Sequence, residues 1–107
     1  MEKVEYKDTI TVEFVTQRYN SETEALTDVV PSSYSAYLET LETTPEQIVE
    51  LEDITAVDTS TFWVNFYAHT DTAEEVKSGN AYYVAFYWEH AGVKKCERYP
   101  VGVVGNV

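Results

Sequence analysis

The feature that most constrains the fold is the segment Ala81–Glu89, because bulky aromatic residues occupy both of its alternating faces. These aromatic residues are Tyr82, Tyr83, Phe86, Tyr87 and Trp88. Successive side chains of a β-strand point to opposite faces of the sheet, so a strand that is apolar on both faces has to be covered on both. The sequence therefore predicts a strand that lies in the centre of a sheet or is covered by helices.

Two other segments alternate between apolar and polar residues, as expected of half-buried strands. Within Asp8–Arg18, the residues Ile10, Val12 and Phe14 share one face. Thr61–Thr70 shows the clearest alternation in the chain, and the residues that share its apolar face are Phe62, Val64, Phe66 and Ala68. The polar segment between residues 20 and 27 is predicted to be a loop.

The end of the chain predicts a β-hairpin. A turn at residues 90–92 leads into Val93–Val101, a polar and basic strand in which Lys94 is expected to face Glu89. Proline has no backbone N–H to donate, so Pro100 predicts that this strand ends there or lies at a sheet edge.

The middle of the chain favours helices. Ser32 or Ser33 is a suitable N-cap for a helix whose buried face carries Tyr34, Tyr37, Leu38 and Leu41, at positions i, i+3, i+4 and i+7. Thr44 followed by Pro45 and Gln47 predicts the start of a second helix, which would bury Ile48 and Leu51. A short third helix is expected over Thr72–Lys77.

We therefore predict an α+β fold. An antiparallel sheet of about four strands, in an order that the sequence leaves open, would carry about two or three short helices. The length of 107 residues is typical of one domain, so residues 1–107 are expected to form a single domain.

The charge distribution is the second unusual feature. The chain has 19 acidic and 7 basic residues, which gives a net charge of −12. No Lys or Arg occurs between Tyr19 and Val76, although that stretch holds thirteen of the acidic residues. An acidic surface of this density keeps a protein in solution and attracts basic partners.

The charge pattern predicts a protein-binding domain that acts as an inhibitor or decoy. Its carboxylates would take the places of DNA phosphates in the basic groove of a nuclease or another nucleic-acid-binding protein, and its affinity would fall with salt. Small acidic phage inhibitors and toxin-immunity proteins share this size and charge, an analogy that involves no shared motif. The candidate partner-binding residues are Glu39, Glu42, Glu46, Glu50, Glu52, Asp53, Glu22, Glu24 and Asp28.

Two other functions remain open on the sequence. A phage virion or assembly component, or another homo-oligomeric structural protein such as a homodimer, would associate through an aromatic-rich sheet with a long edge. A small-molecule-binding domain would instead need a deep aromatic pocket.

No group of residues predicts catalysis, so we expect a protein that is not an enzyme and that uses no cofactor or metal. His69 and His90 fall at a strand end and in a turn. Lys94 and Arg98 near Cys96 would favour its thiolate, but a nucleophile also needs an orienting base. Motifs for zinc, calcium and phosphate binding are all missing.

The same composition argues against two other partners. Direct nucleic-acid binding needs more Lys and Arg than this chain has. A membrane helix needs about 20 consecutive apolar residues, and no such run occurs. The N-terminal residues do not resemble a signal peptide, so a cytoplasmic location is expected.

Overall fold

A computed structural model describes residues 1–68, 76 and 79–105, and every regular element in these ranges is a β-strand. In chain order the strands are β1 (Glu2–Glu5), β2 (Thr9–Val15), β3 (Gln17–Asn20), β4 (Ala25–Asp28), β5 (Ser33–Thr40), β6 (Gln47–Glu50), β7 (Ile54–Ala56), β8 (Thr61–Tyr67), β9 (Ala81–His90) and β10 (Val93–Val104). The prediction of an α+β fold is wrong, because the described part of the chain contains no helix. It follows that none of the described residues belongs to a helix that crosses a membrane.

The strands form two sheets and a separate hairpin. The larger sheet has five strands in the order β1-β10-β9-β5-β6, the smaller has three in the order β2-β8-β7, and β3 pairs with β4. The ring of Phe86 on β9 stacks on Phe14 of β2 with 5.1 Å between centroids, and Phe62 of β8 lies 5.3 Å from the same ring. The two sheets therefore pack face to face as a β-sandwich, with an aromatic core between them.

The segments with two-residue periodicity form strands, although the strand predicted over Asp8–Arg18 ends at Val15 and its last residues belong to β3. Phe62, Val64 and Phe66 on β8 are at most 3% exposed and face the core, whereas Trp63 between them is 44% exposed. Strand β9 lies between β10 and β5, so the segment that is aromatic on both faces is central.

The predicted hairpin is confirmed in its register, since Lys94 of β10 lies opposite Glu89 of β9. Ala91 and Gly92 connect the two strands with φ values of 51° and 79°. Positive φ at both central residues is the mark of a type I′ turn, whose twist matches that of the paired strands. Pro100 is followed by Val101, the first residue of β10 that pairs with β1, so the proline lies where β10 is still an edge strand.

The two helices expected in the middle of the chain are strands. Ala36 and Leu38 of β5 are fully buried, whereas Ser35 and Tyr37 between them are partly exposed, which is a two-residue period. Strand β5 pairs along its whole length with β9, and this pairing satisfies backbone groups that β9 would otherwise leave open. Tertiary pairing of this kind overrides a local helical spacing.

The expected second helix becomes strand β6, which returns antiparallel to β5. Thr44 and Pro45 lie in the connection between β5 and β6, so the pattern that resembled a helix start belongs to a loop. The backbone amide of Glu46 donates to the hydroxyl of Thr40 at 2.9 Å and closes this loop. Of the third expected helix, residues 72–75 and 77 lie outside the described residues.

The segment predicted as a loop between residues 20 and 27 contributes to a β-hairpin that we call the arm, residues Gln17–Asp28. Within the described part of the chain its strands pair only with each other, and the molecule measures 51 × 29 × 21 Å. Thr16 fixes the base of the arm: it is fully buried, its hydroxyl donates to the carbonyl of Val29 at 2.6 Å, and its amide donates to Ser60 at 2.8 Å.

Candidate protein-binding surfaces

The structure does not bring the nine predicted partner-binding carboxylates together. Glu22 and Glu24 lie in the turn of the arm, with Asp28 at the end of β4. Seven of the nine side chains are exposed, and the two exceptions are Asp53, which is partly buried, and Glu39, which is 1% exposed.

A second group of carboxylates lies at the opposite end of the sandwich. Glu42 and Glu46 belong to the connection between β5 and β6. Strand β5 runs from Ser33, near the arm, to Thr40, next to this connection, a span of about 23 Å at about 3.3 Å per residue. The acidic residues therefore form separate groups along the molecule, and Glu50, Glu52 and Asp53 make up a third group around the β6–β7 connection.

Glu39 is not available to a partner. It lies on the face of β5 that is turned away from the core, where Nε of Arg98 donates to its Oε1 at 2.7 Å and the hydroxyl of Tyr87 donates to its Oε2. The Arg98 side chain reaches from β10 across β9, with its guanidinium 5.8 Å from the centre of the Tyr87 ring. Burial and the hydrogen bond to Glu39 raise the pKa of Tyr87. Glu39 therefore ties three strands together.

Asp53 is also used inside the protein. The hydroxyl of Tyr67 and Nδ2 of Asn65 both donate to its Oδ2, the latter at 3.0 Å, and these bonds lower the pKa of Asp53. The same contact raises the pKa of Tyr67. These hydrogen bonds hold the β6–β7 connection against β8.

The arm carries an apolar pair that the sequence interpretation missed. Tyr19 of β3 and Leu26 of β4 lie directly opposite each other, and their side chains are 64% and 63% exposed. A two-stranded hairpin on its own is only marginally stable in water, so exposed apolar residues on it indicate a contact surface. The signal in the sequence was the presence of Tyr19 and Leu26 on either side of a polar turn, and the acidic composition of that turn concealed it.

Strand β10 provides a second surface, which we call the basic edge, residues Val93–Tyr99. Strand β1 pairs only with residues 101–104, and among the described residues no strand pairs with the same side of the basic edge. The charged residues of this edge are Lys94, Lys95, Glu97 and Arg98, and all four are exposed. Lys94 and Lys95 form no ion pair with any described residue.

Of the groups considered for catalysis, His90 and Cys96 lie in the described part of the chain and do not contact each other there. Burial raises the pKa of Cys96, which disfavours a reactive thiolate at neutral pH. Nδ1 of His90 lies 3.3 Å from Nη1 of Arg18, a contact that joins the arm to the β9–β10 turn. His69 lies outside the described residues. In the described ranges no group of three His, Cys, Asp or Glu side chains is placed to hold a metal ion.

The cavities near these surfaces are open grooves. One, with a volume of about 450 Å³, separates the arm from the β9–β10 turn, and Tyr19, Glu22 and His90 are among its lining residues. Comparison of the sequence with protein-family models and with curated proteins finds no match. The fold and these surfaces define an elongated, acidic β-sandwich with a protruding hairpin and an open basic sheet edge.

Proposed function

We propose that this protein is a non-catalytic component of a protein assembly and that it joins the assembly by docking its arm on another protein chain. The observation that carries this proposal is the pair formed by Tyr19 and Leu26, which are 64% and 63% exposed on a hairpin that pairs with no other strand of the described chain. Burying both exposed portions in an interface would contribute about 2–4 kcal/mol. Tyrosine is also among the residues enriched at protein interfaces.

Hydrogen bonds link the arm within itself and to the body of the sandwich. Nε2 of Gln17 donates to Oδ1 of Asp28 at 2.8 Å across the base of the hairpin, and Oδ1 of Asn20 accepts from the amide of Glu22 at 2.9 Å in its turn. Arg18 is tied to His90 on the body of the sandwich. A surface that is already ordered loses less entropy on binding, so more of its contact energy appears as affinity.

The acidic residues fit this function as a solubilising surface. A chain with a net charge of −12 repels other copies at most orientations, which limits unspecific contact through its exposed apolar residues. Association is then confined to contacts that bring a basic surface to the arm.

The decoy predicted from the sequence is a second candidate. It is favoured by the exposure of seven of the nine carboxylates along a molecule 51 Å long. Because Glu22 and Glu24 lie far from Glu42 and Glu46, a decoy would need a partner whose basic groove follows the whole length of the sandwich. Its action would depend on both acidic ends, whereas assembly through the arm depends on one.

Site-specific photo-crosslinking tests the proposal. A photoreactive phenylalanine analogue replaces Tyr19 in one sample and Trp63 in the other, since Trp63 is an aromatic residue of the outer sheet face that is also well exposed, at 44%. The protein is expressed in cells together with the genes that neighbour its own gene, and the cells are irradiated. Position 19 is expected to give a discrete crosslinked product of higher mass, and position 63 is expected to give none.

The product from position 19 should disappear with Leu26→Asp and persist with Glu42→Lys combined with Glu46→Lys. If the probe at position 19 gives no discrete product, or gives a product that Leu26→Asp does not change, the arm is not the docking surface. Loss of the product with the charge reversal at residues 42 and 46 would instead favour the decoy.

A further inference from the structure

The arm and the basic edge have opposite charges. The arm has three acidic residues and one basic residue, a net charge of −2, and the basic edge has three basic residues and one acidic residue, a net charge of +2. Because Arg98 is paired with Glu39, the cations that a partner would meet on this edge are Lys94 and Lys95. In a chain with a net charge of −12, a basic edge is an exception that needs a reason. We infer that the basic edge of a second copy of this chain is the surface on which the arm docks, an inference that rests on the proposed function.

The backbone geometry of the two surfaces is also complementary. The basic edge leaves one side of seven consecutive residues of β10 without a partner strand in the described chain. Among the described strands, each strand of the arm pairs on one side only, so its other side has no partner strand there. At about 3.3 Å between successive residues, an arm strand of four residues spans about 10 Å and fits within the roughly 20 Å of the basic edge. Adding a strand to an open sheet edge is a common mode of protein recognition.

Strand β4 is the part of the arm that fits this role. Every residue of β4 is exposed, whereas Arg18 on β3 is partly buried and held by His90. Docking of β4 with its Ala25 end beside Lys94 and Lys95 would bring Glu22 and Glu24 in the turn of the arm to these two cations. Pro100 and the start of β1 limit the docking site at its other end.

The lysines of the basic edge argue against pairing of two such edges with each other. A two-fold arrangement of β10 with β10 of another copy would bring Lys94 and Lys95 of both copies into one interface. Lysine on an edge strand is a common protection against that kind of pairing. Arg98 adds little to the repulsion of an approaching strand because its guanidinium is turned away to Glu39. Lys94 and Lys95, which form no ion pair with any described residue, therefore favour an acidic strand.

The inferred contact joins two different surfaces of the same chain. Such a contact leaves one arm and one basic edge free at the ends of every dimer, so association continues into an open chain or closes into a ring. This distinguishes it from a two-fold dimer, in which one contact uses both copies of the surface.

Sedimentation velocity of the purified protein tests the inference, with an arm-reversed variant (Glu22→Lys with Glu24→Lys) and an edge-reversed variant (Lys94→Glu with Lys95→Glu). The wild type is expected to form oligomers that grow with concentration at low salt and shrink at about 0.5 M salt, where charges are screened within a few ångströms. Either reversal alone should weaken self-association at least about tenfold, since two attractive pairs become repulsive.

Mixing the two variants in equal amounts should restore association. The unchanged arm of the edge-reversed variant meets the unchanged edge of the arm-reversed variant, and the two reversed surfaces also have opposite charges. The reversal at residues 42 and 46 is the matched control for the arm-reversed variant, because it also replaces two glutamates with lysines, at the other end of the sandwich, and is expected to leave association intact. Thermal melts of all variants check that the fold is retained.

Three results would overturn the inference. The wild type stays monomeric at low salt, the oligomers form equally well in both reversed variants, or the mixture of the two variants does not regain association. A monomeric wild type whose position-19 probe still crosslinks to a different protein would leave the proposed function standing and reject only the second copy as partner. Failure of both experiments would reject the proposed function as well.

Discussion

Replacing Arg98 with Met should destabilise the sandwich severely, because it leaves the carboxylate of Glu39 without its cation. Glu39 is 1% exposed and receives a hydrogen bond of 2.7 Å from Nε of Arg98, while the Arg98 side chain itself is 35% exposed. Methionine retains much of the length of the apolar part of the arginine side chain, so the change removes mainly the charge and its hydrogen bonds.

The expected magnitude follows from these exposures. Breaking a buried ion pair by removing one partner typically costs about 3–5 kcal/mol. Because Arg98 is partly exposed, water can reach the vacated position, and we expect about 2–3 kcal/mol. With an unfolding entropy near 2.1 cal/mol/K per residue, a chain of 107 residues would lose about 9–13 °C in Tm.

Urea unfolding of Arg98→Met, Glu39→Gln and the double variant measures the coupling between the two side chains. The double variant contains no unpaired buried charge, so it should be more stable than Arg98→Met alone, with a coupling energy of at least about 1 kcal/mol. Lys94→Met is the control, since it removes an exposed cation from the same strand and should change stability by about 0.5 kcal/mol or less. A cost for Arg98→Met no larger than that of the control, or strict additivity in the double variant, would refute the reasoning.

Three further changes are expected to have distinct effects. Phe86→Ala removes the ring at the centre of the aromatic core and should cost about 3–5 kcal/mol in urea unfolding, whereas Trp63→Ala on the exposed face should cost about 1 kcal/mol or less. Ala91→Asn should raise the unfolding free energy by about 0.5–1 kcal/mol, because asparagine tolerates the positive φ of this type I′ turn better than alanine; a loss of stability would contradict the turn assignment. Asp53→Asn should destabilise the protein at neutral pH, and the difference should vanish as the pH falls through the lowered pKa of Asp53, where the wild-type carboxyl also becomes neutral. In the same variant an alkaline titration followed by tyrosine absorbance should show a lower pKa for Tyr67, and an unchanged titration would contradict the contact.

The strands were predictable where only one periodicity fits the sequence. The alternation of β8 and the two aromatic faces of β9 admit no helical alternative, and both segments form the strands expected of them. Residues 34–41 fit two patterns at once, since Tyr34 and Leu38 share a face at both helical and strand spacing. Strand pairing decides between the two patterns, because β5 forms a hydrogen-bonded ladder with β9. That contact joins segments that are distant in the sequence.

The candidate site was less predictable than the fold. Glu39 resembles its exposed acidic neighbours in sequence, and only Arg98, 59 residues away, explains why it is buried. The arm was missed for the opposite reason, because its acidic turn is typical of a loop and its strands are only four residues long. Charge patterns identify acidic residues in a sequence, but the sheet register determines which of them meet a cation.

The attachment of the arm has a mechanical consequence. The chain enters the arm at Thr16 and leaves it at Val29, and the backbones of these two residues are hydrogen-bonded to each other. Thr16 is also hydrogen-bonded to Ser60, just before β8. A load on the arm would therefore pass through this threonine into the smaller sheet, and the hairpin would move with the sandwich as a lever instead of swinging freely. If copies link arm to edge, the stiffness of the resulting chain would depend on the hydrogen bonds at Thr16, and Thr16→Val, which removes the bonds of the buried hydroxyl, would make the chain more flexible without altering either docking surface.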